Sequence, residues 1–228
     1  MIYDFMPVSF VDFPGKIAAT VFISGCNFKC PYCHNSYLIQ IREGIRSEKE
    51  FFDYLKKRAN LIEGVCITGG EPTFWKGLKD FIKNTKDLNF SVKLDTNGSR
   101  PQVLENLIDE GLLDYIAMDI KAPIEKYGIF LKNKKDIDNV QKSVEIIKNS
   151  DIDYEFRTTV NDKLLTLEDF EALADWISPA KRYVLQRYKY DEGVLDKKRS
   201  GIQDCNISFL KKVKEKLNGN FGEILIRE

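Results

Sequence analysis

The 228-residue sequence predicts an α/β fold: a partial (β/α)₆ TIM-like barrel of parallel strands, with a cysteine-bearing loop after the first strand. Three observations predict it. Short apolar, β-branched runs alternate with stretches of helical periodicity, giving six β-then-α units in a row. Regular alternation of this kind builds a parallel sheet with right-handed crossovers. The strands end in polar or glycine residues, at Ser24-Gly25, Thr68-Gly69, Asp95-Thr96, Asp119 to Lys121, Arg157 and Gln186, and barrel-like α/β folds gather their reactive groups at such ends. The competing doubly wound sheet usually carries a G-x-G-x-x-G turn after its first strand; here that strand ends in cysteines. No linker, repeat or low-complexity tract interrupts the pattern, so residues 1–228 read as a single domain.

In chain order, residues 7–16 are a turn-rich lead-in. Ala18 to Ile23 is an apolar run closed by Ser24-Gly25, the first strand. Ser47 and Glu50 have the spacing of a capping box, and Phe51, Phe52, Leu55 and Ala59 recur at helical intervals after it. The second strand, 64–68, ends in Gly69-Gly70-Glu71-Pro72 and precedes a helix near 76–86. The third, 91–95, runs into Thr96-Asn97-Gly98 and a helix at 101–110 that Gly111 stops. The fourth, 115–121, is followed by a polar loop and a helix near 136–149. Strand 152–160, helix 166–177, strand 183–186, helix 206–217 and a last strand 222–226 complete the series.

Lys and Arg total 35, as do Asp and Glu. That balance argues against a bulk nucleic-acid or membrane-surface binder. No apolar run approaches the roughly 20 residues that span a bilayer, and the N-terminus lacks a secretory pattern, so the expectation is a cytoplasmic protein. In a reducing compartment five cysteines, three of them clustered, point to metal or redox chemistry rather than disulfides.

The cluster is Cys26-Asn27-Phe28-Lys29-Cys30-Pro31-Tyr32-Cys33-His34-Asn35, a C-x₃-C-x₂-C spacing followed by the chain's one histidine. Two metal readings compete. A closed zinc site would use Cys26, Cys30, Cys33 and His34, but adjacent residues such as Cys33 and His34 rarely turn both side chains to one ion, and no second C-x-x-C exists. Three thiolates on one loop suit an iron–sulfur cluster better. Cys66 lies inside an apolar strand and reads as a small buried hydrophobe rather than a fourth ligand; Cys205 has no obvious partners.

C-x₃-C-x₂-C with an aromatic residue before the third cysteine resembles the radical S-adenosylmethionine superfamily. The resemblance implies a [4Fe–4S] cluster on Cys26, Cys30 and Cys33, with S-adenosylmethionine chelating the remaining iron. Gly69, Gly70, Glu71 and Pro72 match the superfamily's GGEP motif, which holds the methionine amino group. More closely, the chain resembles the activating enzymes of glycyl radical enzymes. That likeness rests on Ser9-x-x-Asp12-x-Pro14-Gly15, Tyr32-Cys33-His34-Asn35, Asp95-Thr96-Asn97-Gly98 and Asp119-x-Lys121. It is most similar to the anaerobic ribonucleoside-triphosphate reductase activating type, by Val11 to Lys16, Gly25 to Asn35 and Tyr183 to Tyr188.

The resemblance further implies cofactor contacts from Tyr32, His34, Asn35, Asp95, Thr96, Asn97, Asp119, Lys121, Arg157 and Gln186. It implies a glycyl radical enzyme as protein substrate, and flavodoxin or ferredoxin as electron donor. In pyruvate formate-lyase activating enzymes the residues matching Asp95, Thr96 and Asp119 help bind a monovalent cation, so such a cation is an expectation here; strand-end capping is the competing reading. For Arg157 the competing reading is a salt bridge to neighbouring acids; for Phe28, expected with Tyr32 to flank the adenine or shield the cluster, it is plain packing. Some activases place a late histidine near the adenine; here that role falls to another group, with Gln186 a candidate. Two other functions stay open at the level of sequence: a radical enzyme acting on a small molecule such as a deazapurine precursor, and a non-enzymatic metal-binding module.

Overall fold

The computed structural model describes residues 2–131, 133 and 136–228. Eight strands form one sheet in sequential order: β1 (Ile2–Ser9), β2 (Ala18–Ile23), β3 (Gly64–Gly69), β4 (Ser91–Thr96), β5 (Tyr115–Asp119), β6 (Asp153–Val160), β7 (Ala180–Arg187) and β8 (Phe221–Arg227). β2 to β8 are all parallel, and β1 runs antiparallel to β2. Helices α1 (Glu48–Lys57), α2 (Leu78–Asp87), α3 (Pro101–Asp109), α4 (Asp136–Lys148), α5 (Leu167–Ile177) and α7 (Ile207–Lys216) are the crossovers, with a short α6 (Lys197–Ser200) before the last. The partial parallel barrel expected from the alternation is the fold observed.

One element departs from expectation. Residues 2–9 add an antiparallel edge strand, where the sequence reading assigns no strand and its turn-rich lead-in at 7–16 overlaps only the last three residues. Its alternation is weak: Ile2 and Ser9 are buried, but Met6 is exposed. Partnership with β2, rather than intrinsic pattern, makes this segment a strand.

The rest of the lead-in closes the end of the barrel opposite the cysteines. Phe13, 2% exposed, packs with Tyr115, Ala18 and Ala117. Asp12 accepts the Thr20 hydroxyl at 2.6 Å. A Cβ on Gly64 would strike the Phe13 ring.

The main apolar core lies between the sheet and its helices. Phe5, Phe51, Phe52, Phe81 and Trp75 form one run of ring contacts there, at centroid separations from 5.2 to 5.6 Å. Such tilted and edge-on pairs each add on the order of 1 kcal/mol beyond their burial. The expected capping box of Ser47 and Glu50 forms on α1, and the structure adds a second on α5, from Thr166 and Asp169.

The inside of the sheet is charged instead. Lys93, Asp95, Asp119, Glu155 and Arg157 project from β4, β5 and β6, and each has a partner of opposite charge. Among the described residues no helix is long and apolar enough to cross a membrane.

Candidate active site

The three thiols open onto a cavity of about 280 Å³ at the C-terminal ends of the strands. All sixteen residues singled out from the sequence line it: Cys26, Cys30, Tyr32, Cys33, His34 and Asn35 from the loop after β2; Gly69, Gly70 and Glu71 after β3; Asp95, Thr96 and Asn97 after β4; Asp119 and Lys121 after β5; Arg157 on β6; and Gln186 on β7. Phe28, Ile39, Thr68 and Thr159 line it too. The sequence reading names Thr68 only as a strand end and passes over Ile39 and Thr159. Thr68 and Thr159 carried a signal, lying within three residues of the C-terminal ends of their strands. Ile39 sits in an irregular loop and carried none.

Backbone contacts bring the cysteine loop onto the Gly-Gly turn. Gly69 has φ +111°, and a Cβ on Gly70 would strike the Gly25 carbonyl. Only glycine allows that approach. It lets Gly70 N donate to Ile23 O at 2.7 Å and Glu71 N to Gly25 O at 2.8 Å. On the other side of the loop, Lys29 N donates to Phe130 O and Phe28 pairs with Leu131. Phe28 is 1% exposed with its ring edge-on to Tyr127, so packing is a large part of what it does.

His34 lies at the outer edge. Its ring is parallel to Tyr188 at 5.9 Å between centroids, and its Nε2 donates to the Lys189 carbonyl at 2.7 Å. Ser36 Oγ donates to Gly193 O and Asp196 N donates to Pro31 O. The segment after β7 is thereby strapped across the cysteine loop. Among the described residues no three His, Cys, Asp or Glu side chains close on a single ion. Three thiols bordering one cavity are the donor type that holds an iron–sulfur cluster.

Burial pushes the Cys26 and Cys30 thiols up, to about 12 and about 11. Glu71 adds to this at Cys26, while Lys121 opposes it at Cys30. Binding metal therefore entails releasing protons. Tyr32, 4% exposed, has a buried hydroxyl with no hydrogen-bond partner among the described residues, a polar atom suited to a bound ligand.

Glu71 is buried and points inward. Its Oε1 accepts the hydroxyls of Thr73 at 2.5 Å and Thr96 at 2.7 Å, and its Oε2 accepts Asn97 N at 2.6 Å. Burial pushes its carboxyl up against the pull of these donors. The side chain thus joins the β3 and β4 ends, which leaves the Gly-Gly backbone as the more open part of that turn.

Arg157 does pair with acids: Nε donates to Asp119 at 2.7 Å and Nη2 to Asp95 at 3.2 Å. Lys121 Nζ lies 3.0 Å from Asp119, and Lys93 binds Asp95. Burial alone would raise both carboxyls. Arg157 and Lys121 hold Asp119 well below the usual carboxylate range, and Arg157 and Lys93 lower Asp95. These acids already carry three cationic partners, so the geometry gives no support to the expected monovalent cation. Cys66 is fully buried in mid-strand beside Lys93 Nζ at 3.6 Å, remote from the cysteine loop in register. Cys205 has partners after all: its N donates to Tyr188 O and its carbonyl accepts Arg187 Nε.

Comparison with known proteins agrees with this geometry. A protein of Methanocaldococcus jannaschii, named as a candidate glycyl-radical enzyme activating enzyme, is 33% identical over 204 residues, covering 84% of this chain and 83% of that one. The 7-carboxy-7-deazaguanine synthase of Methanopyrus kandleri is 31% identical over 132 residues, 49% of this chain and 52% of that one. Among solved structures, SuiB of Streptococcus suis bound to S-adenosylmethionine shares the fold, with a TM-score of 0.68 at 14% identity over 92% of this chain. This chain spans about half of SuiB's length, 52%. The radical SAM family model matches residues 20–177. The chain therefore belongs to the radical SAM superfamily, whose enzymes use a [4Fe–4S] cluster and S-adenosylmethionine.

Proposed function

We propose that this chain, acting as one domain, is a radical S-adenosylmethionine activase whose substrate is a glycine in the backbone of a partner glycyl radical enzyme, with anaerobic ribonucleoside-triphosphate reductase the expected partner. The observation that carries the reading is the convergence, in one cavity, of three thiols with the ends of β3, β4 and β5. The relative named for glycyl-radical enzyme activation supports the choice of substrate.

In this reading Cys26, Cys30 and Cys33 hold the cluster. Bound there and reduced, the cluster would supply the electron for reductive cleavage of S-adenosylmethionine, the source of the radical that would take a hydrogen atom from the glycine. The chain's own residues orient the cofactor and exclude water. The Gly69-Gly70 backbone offers carbonyl acceptors to the methionine ammonium, and Lys121 and Arg157 face its carboxylate. Tyr32, His34, Asn35 and Gln186, which line the same cavity, are assigned to the adenine. Asp95, Thr96, Asn97 and Asp119 hold these groups in place. Flavodoxin or ferredoxin is the proposed electron donor.

Anaerobic reconstitution tests this in two steps. The loaded chain should carry about four irons, as a [4Fe–4S] centre requires, and cleave S-adenosylmethionine under reduction. Mixed with the partner made alongside it, it should produce a glycyl radical signal in EPR. Iron uptake and cleavage without any glycyl radical would leave the superfamily assignment intact and turn the substrate reading toward a small molecule, as the synthase relative suggests.

A further inference from the structure

We propose that Asn97 is a positioning residue whose carboxamide donates a hydrogen bond to the Cys26 sulfur and raises the reduction potential of the cluster held there. The inference rests on the reading of Cys26 as a cluster ligand.

The amide has one orientation open to it. Its Oδ1 accepts the Ser99 backbone N–H at 2.9 Å, which turns both Nδ2 hydrogens toward the cysteine loop. A primary amide has two such hydrogens, and both have acceptors. Asn27 Oδ1 lies 3.0 Å away and Cys26 Sγ 4.0 Å away, at the outer limit for a hydrogen bond to sulfur, which the Phe28 N–H also reaches at 3.4 Å. Asn27 is itself anchored, its own Nδ2 donating to Asp136 at 3.1 Å.

The backbone of Asn97 is held as firmly. Its N–H donates to the buried Glu71 carboxylate at 2.6 Å, and the next residue, Gly98, takes φ +74° against Met118, where a Cβ would collide. Asn97 is 6% exposed. A rigid, water-poor donor of this kind gains strength from its surroundings.

The chemistry follows from charge. Adding an electron makes the cluster and its sulfurs more negative, and a donor aimed at a sulfur stabilises that state more than the oxidised one. Hydrogen bonds to sulfur are among the levers that set cluster potentials. Glu71, Asn97 and Cys26 thus link the Gly-Gly turn, the end of β4 and the cluster loop in one series of hydrogen bonds.

The test uses the full chain loaded with iron and sulfide, without S-adenosylmethionine, and reads the midpoint potential by EPR-monitored titration. Asn97→Ala should retain its iron and shift the reduction equilibrium roughly tenfold toward the oxidised form, a fall of about 59 mV for a one-electron couple. Asn97→Asp keeps the acceptor for Ser99 but replaces the donor by a negative oxygen, and should fall at least as far. Loaded variants with the wild-type potential would overturn the proposal, because a purely structural role moves stability and iron content but not potential.

Should neither variant load, wild-type protein carrying ¹⁵N only in asparagine side-chain amides decides the matter. Pulsed EPR of its reduced cluster should show a weak nitrogen coupling, and a spectrum without one overturns the proposal. A wild-type chain that takes up no iron sinks the ligand assignment itself, a different failure from an unmoved potential.

Discussion

The Nε of Arg157 donates to Oδ1 of Asp119 at 2.7 Å, between two residues that are direct register partners on β6 and β5. The pair has a pH signature. The carboxyl of Asp119 is held below its unfolded value of about 3.9. A depressed carboxyl contributes stability that is fully present above the unfolded value and is lost as pH falls through the folded one. The stability gap between wild type and Asp119→Asn should therefore stay constant from about pH 8 to about pH 5 and narrow below about pH 4. Urea titrations across that range check it, and a gap that widens on acidification contradicts it.

Asp95 and Asp119 share Lys93, Arg157 and Lys121 as cationic partners. Lys93 is 1% exposed, a tethered ammonium inside the barrel. Replacing potassium by choline at constant ionic strength should change S-adenosylmethionine affinity by less than about twofold, since the buried charges are already compensated. Lys93→Met should create a potassium dependence, because it removes one of those charges while keeping the apolar stem. A strong potassium requirement in the wild-type chain would show that an added ion does what is here ascribed to Lys93.

Much of this site was legible in the sequence because its parts are local. C-x₃-C-x₂-C, Gly69-Gly70-Glu71 and Asp95-Thr96-Asn97 are each contiguous, and the β/α alternation alone brings their strand ends to one side of the sheet. Contacts that depend on register were not legible. Nothing in the spacing says that Glu71 turns inward to Asn97, or that His34 stacks on Tyr188, some 150 residues away. Strand β1 was missed for the same reason: its place is fixed by pairing with β2 rather than by a pattern of its own.

The cysteines should divide into two classes. Cys30→Ala should lose the cluster, and cleavage with it, because the other two thiols of the loop cannot close the site. Cys66→Ala should keep about four irons per chain, since Cys66 pairs in register with Thr20 and Lys93 deep in the sheet. Removing its thiol should cost only about 1–2 kcal/mol, the scale of a small cavity beside a charged neighbour. Iron analysis and visible absorption after anaerobic reconstitution read both. Loss of iron in Cys66→Ala would assign it a ligand role that its depth in the sheet argues against.

The last strand is tied to the barrel interior by charge. Arg227 donates from Nη1 and Nη2 to the two oxygens of Glu155, at 2.6 and 2.7 Å, and Tyr115 adds its hydroxyl at 3.0 Å. Glu155 is fully buried, whereas the Arg227 side chain is 31% exposed. Arg227→Met leaves that carboxylate with one neutral donor. The expected loss is about 3 kcal/mol, at the lower end for a broken buried pair because water reaches the arginine side. For a chain of this size that corresponds to a fall in Tm of roughly 6–12 °C. Glu155→Gln in the Arg227→Met background should recover most of the loss, because a neutral amide needs no counter-charge. Recovery separates the cost of an orphaned charge from the loss of β8 packing, which the second substitution leaves untouched. If the double variant is no more stable than Arg227→Met, then packing of the last strand, rather than the ion pair, closes this side of the sheet.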